Sequence, residues 1–336
     1  MLTLKTIDAH AAGEPLRLIV DGFPSPRGKT MLDKREWLRR HADHLRRALM
    51  LEPRGHADMY GAILTEPVHP GSHAGVLFMH NEGYSTMCGH GIVAVTTIAL
   101  ERGLLMPGGD GTSVVYDSPA GIVRARANVS AGAADAPGAE RRVASVAFVN
   151  VPSFVLHAGL TVKLAARTVR ADVAFGGAFY ATCPERVEPR ELPRLIELGR
   201  ALERELEAAH EVVHPLEPEL RDVYGVIFWQ HETSGPPLVQ RNVTVFADGE
   251  VDRSPCGSGT SARLALLHAA GELQPGAALV HRSIVGTEFT ARVVAETEVA
   301  GRSAVVTEVE GSAYRTGRHA FELDPDDRLG TGFLLR

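Results

Sequence analysis

Two cysteine residues stand in short glycine-rich motifs whose residue types suit acid–base chemistry. The motifs are Cys88-Gly-His-Gly and Cys256-Gly-Ser-Gly, and each opens an apolar stretch typical of a helix. A thiol at a helix start faces backbone N–H groups and the positive end of the helix dipole, which favour the thiolate and lower the pKa of the thiol. Each cysteine is therefore predicted to act as a base.

The glycines beside these cysteines predict an anion site. Backbone amides can approach a carboxylate closely where side chains are absent, and the amides concerned are those of Gly89, His90, Gly257 and Ser258. If both helix starts meet at one cleft, the two sulfurs flank the carbon next to the carboxylate. One thiolate can then remove the α-proton while the other thiol protonates the opposite face, and the amides stabilise the enolate-like charge without a metal or pyridoxal phosphate. For His90 we expect the backbone amide, not the imidazole, to be the useful group.

The sequence repeats itself around the two motifs. Cys256 lies 168 residues after Cys88, and identities at the same spacing continue along the chain: Ala94 with Ala262, Gly103 with Gly271, and Leu105 with Leu273. Two helices rich in small residues could match by chance, but a shared cysteine at the first helical turn favours duplication. With 336 residues, more than one core usually holds, we expect two similar domains.

Hydrophobic patterning predicts the elements that position the motifs. Strands are expected at Leu16–Val20, Gly75–Met79 and Val243–Phe246, and amphipathic covering helices at Asp33–Leu51 and Pro193–His210. The segment from Ser130 to Glu140 is rich in small and turn-forming residues and is expected to be an exposed loop.

Composition excludes several classes of function. Apolar residues make up 44% and charged residues 23% of the chain, as in ordinary globular proteins, and the formal net charge of -6 argues against a nucleic-acid partner. No signal-peptide pattern and no apolar run of about 18 residues is present, so we expect a cytoplasmic protein without a membrane partner. Three cysteines without a CxxC pair predict neither a disulfide scaffold nor a zinc site.

The residues around both cysteines resemble the proline racemase family, which includes hydroxyproline 2-epimerases. The motif NEGYSTMCGHG spans 81–91 and VDRSPCGSGTSARLA spans 251–265, and the likeness covers nearly the whole chain. It implies a cofactor-independent isomerase that acts on proline or a hydroxyproline, usually as a homodimer. It also implies an α/β (α+β) fold of two pseudo-symmetric domains of the diaminopimelate-epimerase type, each a curved sheet around a central helix, with the active site in the cleft between them.

The same resemblance implies roles and boundaries. It makes Cys88 and Cys256 the two acid/base residues and Asp252 a contact for the substrate amine, with the amides at 89–90 and 257–258 binding the carboxylate. We place the first domain at 1–122 plus 316–336, with Cys88, and the second at 123–315, with Cys256.

A related branch of the family leaves the reaction open. The trans-3-hydroxyproline dehydratases keep the first cysteine but have threonine in place of the second, so Cys256 favours racemisation over dehydration. Yet HNEGY before Cys88 and Gly-Ser-Gly after Cys256 resemble that branch. Ala11 and Ile92 stand where many relatives have threonine, which leaves proline, trans-4-hydroxyproline and trans-3-hydroxyproline as candidate substrates.

Simpler interpretations accompany these roles. Asp252 could only cap the turn that leads to Cys256, and Cys183 is expected to be a small core residue. His56, His80 and His90 could be imagined as metal ligands with Cys88, but the chain lacks a closely spaced ligand pair, so no metal is expected. A dithiol redox protein and a non-catalytic amino-acid-binding module remain as alternative functions.

Overall fold

The computed structural model describes residues 1–109, 111–129, 141–165, 167–233 and 235–335. The chain forms two compact units, Met1–Phe148 with Ser312–Arg336 and Val149–Gly311. These units divide the chain 26 residues after the expected boundary at 122, because the strand Gly121–Val129 pairs within the first unit. The predicted loop from Ser130 to Glu140 lies outside the described residues.

The first unit is a sheet wrapped around one helix. Its strands run in the spatial order β7, β6, β4, β3, β2, β1, β18, with β5 paired to β4. Helix α3 contacts five of these strands and is buried along nearly its whole length, whereas α1 and α2 pack against β4. The elements are β1 (Leu2–Ala11), β2 (Glu14–Asp21), α1 (Met31–His41), α2 (Asp43–Met50), β3 (Tyr60–Thr65), β4 (Ala74–His80), β5 (Tyr84–Ser85), α3 (Gly89–Glu101), β6 (Ser113–Ser118), β7 (Gly121–Val129), β8 (Val143–Val149, which crosses the boundary) and β18 (Ala313–Leu323).

The second unit closes its sheet into a ring. The pairings run β9, β10, β11, β12, β13, β15, β16, β17 and back to β9, and helix α5 is buried inside while α4 packs against β12 and β13. The elements are β9 (Ser153–Lys163), β10 (Thr168–Phe175), β11 (Phe179–Pro184), α4 (Leu192–Ala209), β12 (Val223–Thr233), β13 (Leu238–Phe246), β14 (Glu250–Asp252), α5 (Gly257–Ala269), β15 (Leu279–Arg282), β16 (Glu288–Val299) and β17 (Arg302–Gly311).

Both units share one connection, which confirms the predicted pseudo-symmetric α/β architecture. In the first unit β4 leads through β5 and α3 to β6, which lies parallel to β4. In the second unit β13 leads through β14 and α5 to β15, which lies parallel to β13. The buried helix of each unit therefore begins at a cysteine that follows a short hairpin.

The predicted strands lie within β2, β4 and β13, and the predicted helix at Pro193–His210 is α4. The single helix expected at Asp33–Leu51 is wrong, because the chain turns at Ala42 (φ -131°, ψ 10°) between α1 and α2. This turn lets Leu38 of α1 and Leu45 and Leu49 of α2 enter the same core cluster. Among the described residues, no helix combines the length and apolarity that a membrane crossing requires.

Candidate active site

Cys88 caps α3, and its sulfur is held by the helix that it opens. The residue has extended backbone angles, and the Gly91 N–H donates a hydrogen bond to Cys88 Sγ at 3.2 Å. A Cβ atom at Gly91 would lie 2.9 Å from that sulfur and 2.3 Å from the Phe78 ring. Only glycine fits there without displacing the sulfur or the ring.

The imidazole of His90 also contacts this sulfur. Its Nδ1 lies 3.2 Å from Cys88 Sγ, and the ring packs edge-on against Tyr60 with the centroids 4.8 Å apart. His90 is buried, as is Cys88. The expectation that only the backbone amide of His90 matters is therefore incomplete, since a ring N–H and the Gly91 N–H can both stabilise negative charge on the sulfur.

Cys256 occupies the equivalent place at the start of α5, with a different backbone. Its φ of 61° lies in the left-handed region, where a non-glycine residue costs about 1–3 kcal/mol. The turn before it is braced in two steps: the Ser254 N–H donates to Asp252 Oδ1 at 2.8 Å, and the Cys256 N–H donates to Ser254 Oγ at 3.1 Å. As with the first cysteine, a Cβ atom on the third residue after it, Gly259, would lie 2.8 Å from the sulfur.

Tyr180 is a contact that the sequence analysis missed. Its hydroxyl lies 3.6 Å from Cys256 Sγ and 2.7 Å from Ser258 Oγ, and the side chain is fully buried. The residue lies in β11, 76 positions before the cysteine. The motif at 175–181 was recognised as part of the family resemblance, but nothing in its letters pointed to the sulfur.

Burial dominates the electrostatics around Cys256. Loss of solvent raises the pKa of its thiol to about 12, and the nearby Asp252 carboxylate adds to this, although Tyr180 and the Gly259 N–H lower it in part. The expected lowering of the Cys256 pKa is therefore wrong, because the helix start lies inside the second unit rather than at its surface. At neutral pH this residue is a thiol.

Asp252 is also shifted by burial, which raises the pKa of its carboxyl to about 6 despite the hydrogen bonds from Ser254. The turn-capping role considered for Asp252 is observed directly in the bond from the Ser254 N–H. Above pH 6 the carboxylate is ionised, and a buried carboxylate favours a cationic group beside it.

The predicted site residues form two groups. Cys88, Gly89 and His90 lie together at the start of α3, and Asp252, Cys256, Gly257 and Ser258 lie together at the start of α5; all seven are buried. The first turn of a helix directs its N–H groups to acceptors outside the helix, so each group can bind part of an anion. Cys183 is buried in β11, apart from both motifs in sequence.

Comparison with known proteins defines the class of this site. The model of the proline racemase family matches residues 6–334. A solved hydroxyproline epimerase from Agrobacterium vitis, with bound trans-4-hydroxy-L-proline, superposes with a TM-score of 0.90 at 33% identity, over 100% of this chain and 95% of that one. The chain therefore belongs to the proline racemase family, as its motifs predicted.

Curated relatives carry more than one activity. The chain is 47% identical to a trans-3-hydroxy-L-proline dehydratase from Bacillus cereus, over 98% of this chain and 97% of the relative. It is 44% identical to a 3-hydroxyproline 2-epimerase from Burkholderia multivorans, over 99% and 98%. The comparisons thus define an enzyme of this family, with isomerase and dehydratase relatives at similar distance.

Proposed function

We propose that this protein is a cofactor-independent isomerase that inverts the α-carbon of proline or a hydroxyproline by proton transfer between Cys88 and Cys256. The observation that carries the proposal is the matched pair of helix starts. In each unit a cysteine opens the one buried helix that joins two parallel strands, and a glycine three residues later leaves room for its sulfur. A one-base enzyme or a lyase needs only one such thiol.

The surroundings of the two sulfurs favour different resting roles. Cys88 Sγ has donors from the Gly91 N–H and the His90 ring, which favour a thiolate that can take the α-proton. Cys256 is a thiol at neutral pH and can deliver a proton to the opposite face. After inversion Cys88 carries the proton and Cys256 is the thiolate, so the reverse reaction uses them in exchanged roles.

The remaining committed residues are assigned to substrate binding. The amides of Gly89, His90, Gly257 and Ser258 would hold the substrate carboxylate, where negative charge grows as the α-proton leaves. Asp252, ionised above pH 6, would hold the ring ammonium group of the amino acid. This arrangement needs no metal or prosthetic group.

Dehydration of trans-3-hydroxy-L-proline is the second candidate function, favoured by the 47% identity to a protein that carries this activity. One base would remove the α-proton, hydroxide would leave from the neighbouring carbon with a proton, and the resulting enamine would tautomerise to a ketimine. Cys256 argues against it, since the dehydratase branch as described above has threonine at that position.

The test uses the reduced protein without cofactors in D₂O, with L-proline, trans-4-hydroxy-L-proline and trans-3-hydroxy-L-proline as substrates. We expect α-deuterium incorporation with inversion for at least one of them, lost in both Cys88→Ser and Cys256→Ser. Ketimine formed from the 3-hydroxy compound alone, and retained in Cys256→Ser, would establish the dehydratase instead. Absence of exchange on all three substrates would refute both.

A further inference from the structure

The first unit contains a second candidate binding site at the C-terminal end of α3. A cavity of about 590 Å³ lies between the end of α3, the start of β8 and the first half of β18. This volume falls within the range of small-molecule sites, roughly 300–1,000 Å³. Cys88 lies at the opposite end of the 13-residue helix, about 20 Å away along its axis.

The lining of this cavity is strongly cationic. Five guanidinium groups contribute to it, from Arg102, Arg141, Arg142, Arg315 and Arg318. Glu101 is the only carboxylate among the described residues that line it. The protein as a whole has a formal net charge of -6, so this concentration of positive charge is local to the cavity.

Glu101 connects the walls of the cavity. Its Oε2 accepts a hydrogen bond from Arg315 Nε at 2.6 Å, and its Oε1 accepts one from the Val143 N–H at 3.0 Å. The carboxylate therefore joins α3 to both β8 and β18, with its side chain only 8% exposed. Its one negative charge is engaged by Arg315 and balances one of the five positive charges.

We propose that this cavity binds a small multivalent anion that carries phosphate groups. The planar guanidinium group donates two parallel hydrogen bonds to a phosphate, and arginines from three elements can reach it from several sides. Tyr314, 53% exposed, also lines the cavity and offers a flat surface for an aromatic ring. Inorganic polyphosphates and nucleotides share the phosphate chemistry and differ in their use of this ring.

Calorimetric titration of the purified full chain with pyrophosphate and with ATP tests this site. In the double variant Arg141→Gln/Arg318→Gln, we expect the Kd for pyrophosphate to rise at least ten-fold. The matched control is Arg39→Gln/Arg40→Gln on α1, which removes the same charge from a surface pair held by Glu36. The control should bind pyrophosphate as the unaltered protein does.

Tyr314→Ala distinguishes the two sources of phosphate. A loss of ATP affinity with unchanged pyrophosphate affinity indicates a nucleotide, and no effect on either indicates phosphate groups alone. Failure of pyrophosphate to bind at millimolar concentration, or an equal loss in the control pair, would overturn the proposal. The amino-acid assay in D₂O, run on the same variants, reports separately on the proposed isomerase activity and on folding.

Discussion

Burial and the helix dipole act in opposite directions at Cys256. The helix start favours the thiolate, but the sulfur is enclosed within the second unit, and burial raises the pKa of the thiol to about 12. Because a sequence motif records the helix start and not the depth of burial, the direction of this shift required the structure. Its consequence is that Cys256 is the proton donor of the resting enzyme.

Alkylation kinetics measure this directly. In Cys88→Ser, we expect the rate of iodoacetamide reaction at Cys256 to increase about ten-fold for each pH unit from 8 to 10, because the thiolate fraction grows in that proportion below the pKa. Mass spectrometry of the digested protein separates this peptide from that of Cys183, whose pKa burial also raises to about 12 and which serves as an internal reference. A plateau below pH 10 at Cys256 would contradict the assignment.

Tyr180 makes a second prediction at the scale of one residue. Tyr180→Phe removes the hydroxyl that contacts Cys256 Sγ and Ser258 Oγ. We expect kcat to fall about ten-fold with KM changed less than two-fold, and unfolding free energy to fall by about 1 kcal/mol for the lost hydrogen bond. The control is Tyr116→Phe, a fully buried tyrosine of the first unit bonded to Thr96, which should lose similar stability without loss of kcat. Equal kcat in both variants would exclude a positioning role for Tyr180.

The helix starts make the corresponding prediction for an element. Gly91→Ala would place a methyl group against the Phe78 ring and Cys88 Sγ. Because the sulfur must move by several tenths of an ångström, we expect turnover to fall at least 100-fold while far-UV circular dichroism stays native. Gly83→Ala is the matched control, since a Cβ atom there meets nothing within 4 Å. Activity retained in Gly91→Ala would show that the position of this sulfur is not critical.

The two copies of the element differ inside. On β13 the buried residues Gln240, Asn242 and Thr244 face α5, where Asn242 Nδ2 donates to the Pro255 carbonyl at 2.7 Å and Gln240 accepts from Arg263 Nε at 3.0 Å. At the same spacing of 168 residues the first unit has Val76 in place of Thr244 and Ala74 in place of Asn242. Duplication was visible in the sequence because the cysteine motifs are local, whereas this polar support of the second turn depends on contacts across strands and helix.

At the scale of the whole molecule, the motifs predicted the family, the repeated architecture and the two helix starts. The closed ring of the second unit was not predictable, because it depends on pairing between β9 and β17, which are about 150 residues apart in sequence. Tyr180 was missed for the same reason. The break at Ala42 was missed because hydrophobic spacing continues through it, and only the shared core of α1 and α2 requires the turn.

Glu203 predicts how the stability of the protein varies with pH. Burial on α4 raises the pKa of its carboxyl to about 7, and the neighbouring Glu207 adds to the shift. Because the folded state favours the protonated form, Glu203 makes its full contribution below its ordinary pKa of 4.5, and stability is lost as pH rises from there through 7. Glu203→Gln keeps the neutral form at every pH. The full shift corresponds to roughly 3 kcal/mol, which screening of this partly exposed group reduces to about 1–2 kcal/mol.

Urea unfolding at pH 4 and pH 8 checks this expectation. Glu203→Gln should match the unaltered protein at pH 4 and exceed its unfolding free energy by about 1–2 kcal/mol at pH 8. Glu197→Gln, which changes an exposed glutamate of the same helix, should show no such difference between the two pH values. If both variants gained equally at pH 8, the gain would reflect the net negative charge of the protein and not the buried carboxyl, since removing any one acid relieves that general repulsion to a similar extent.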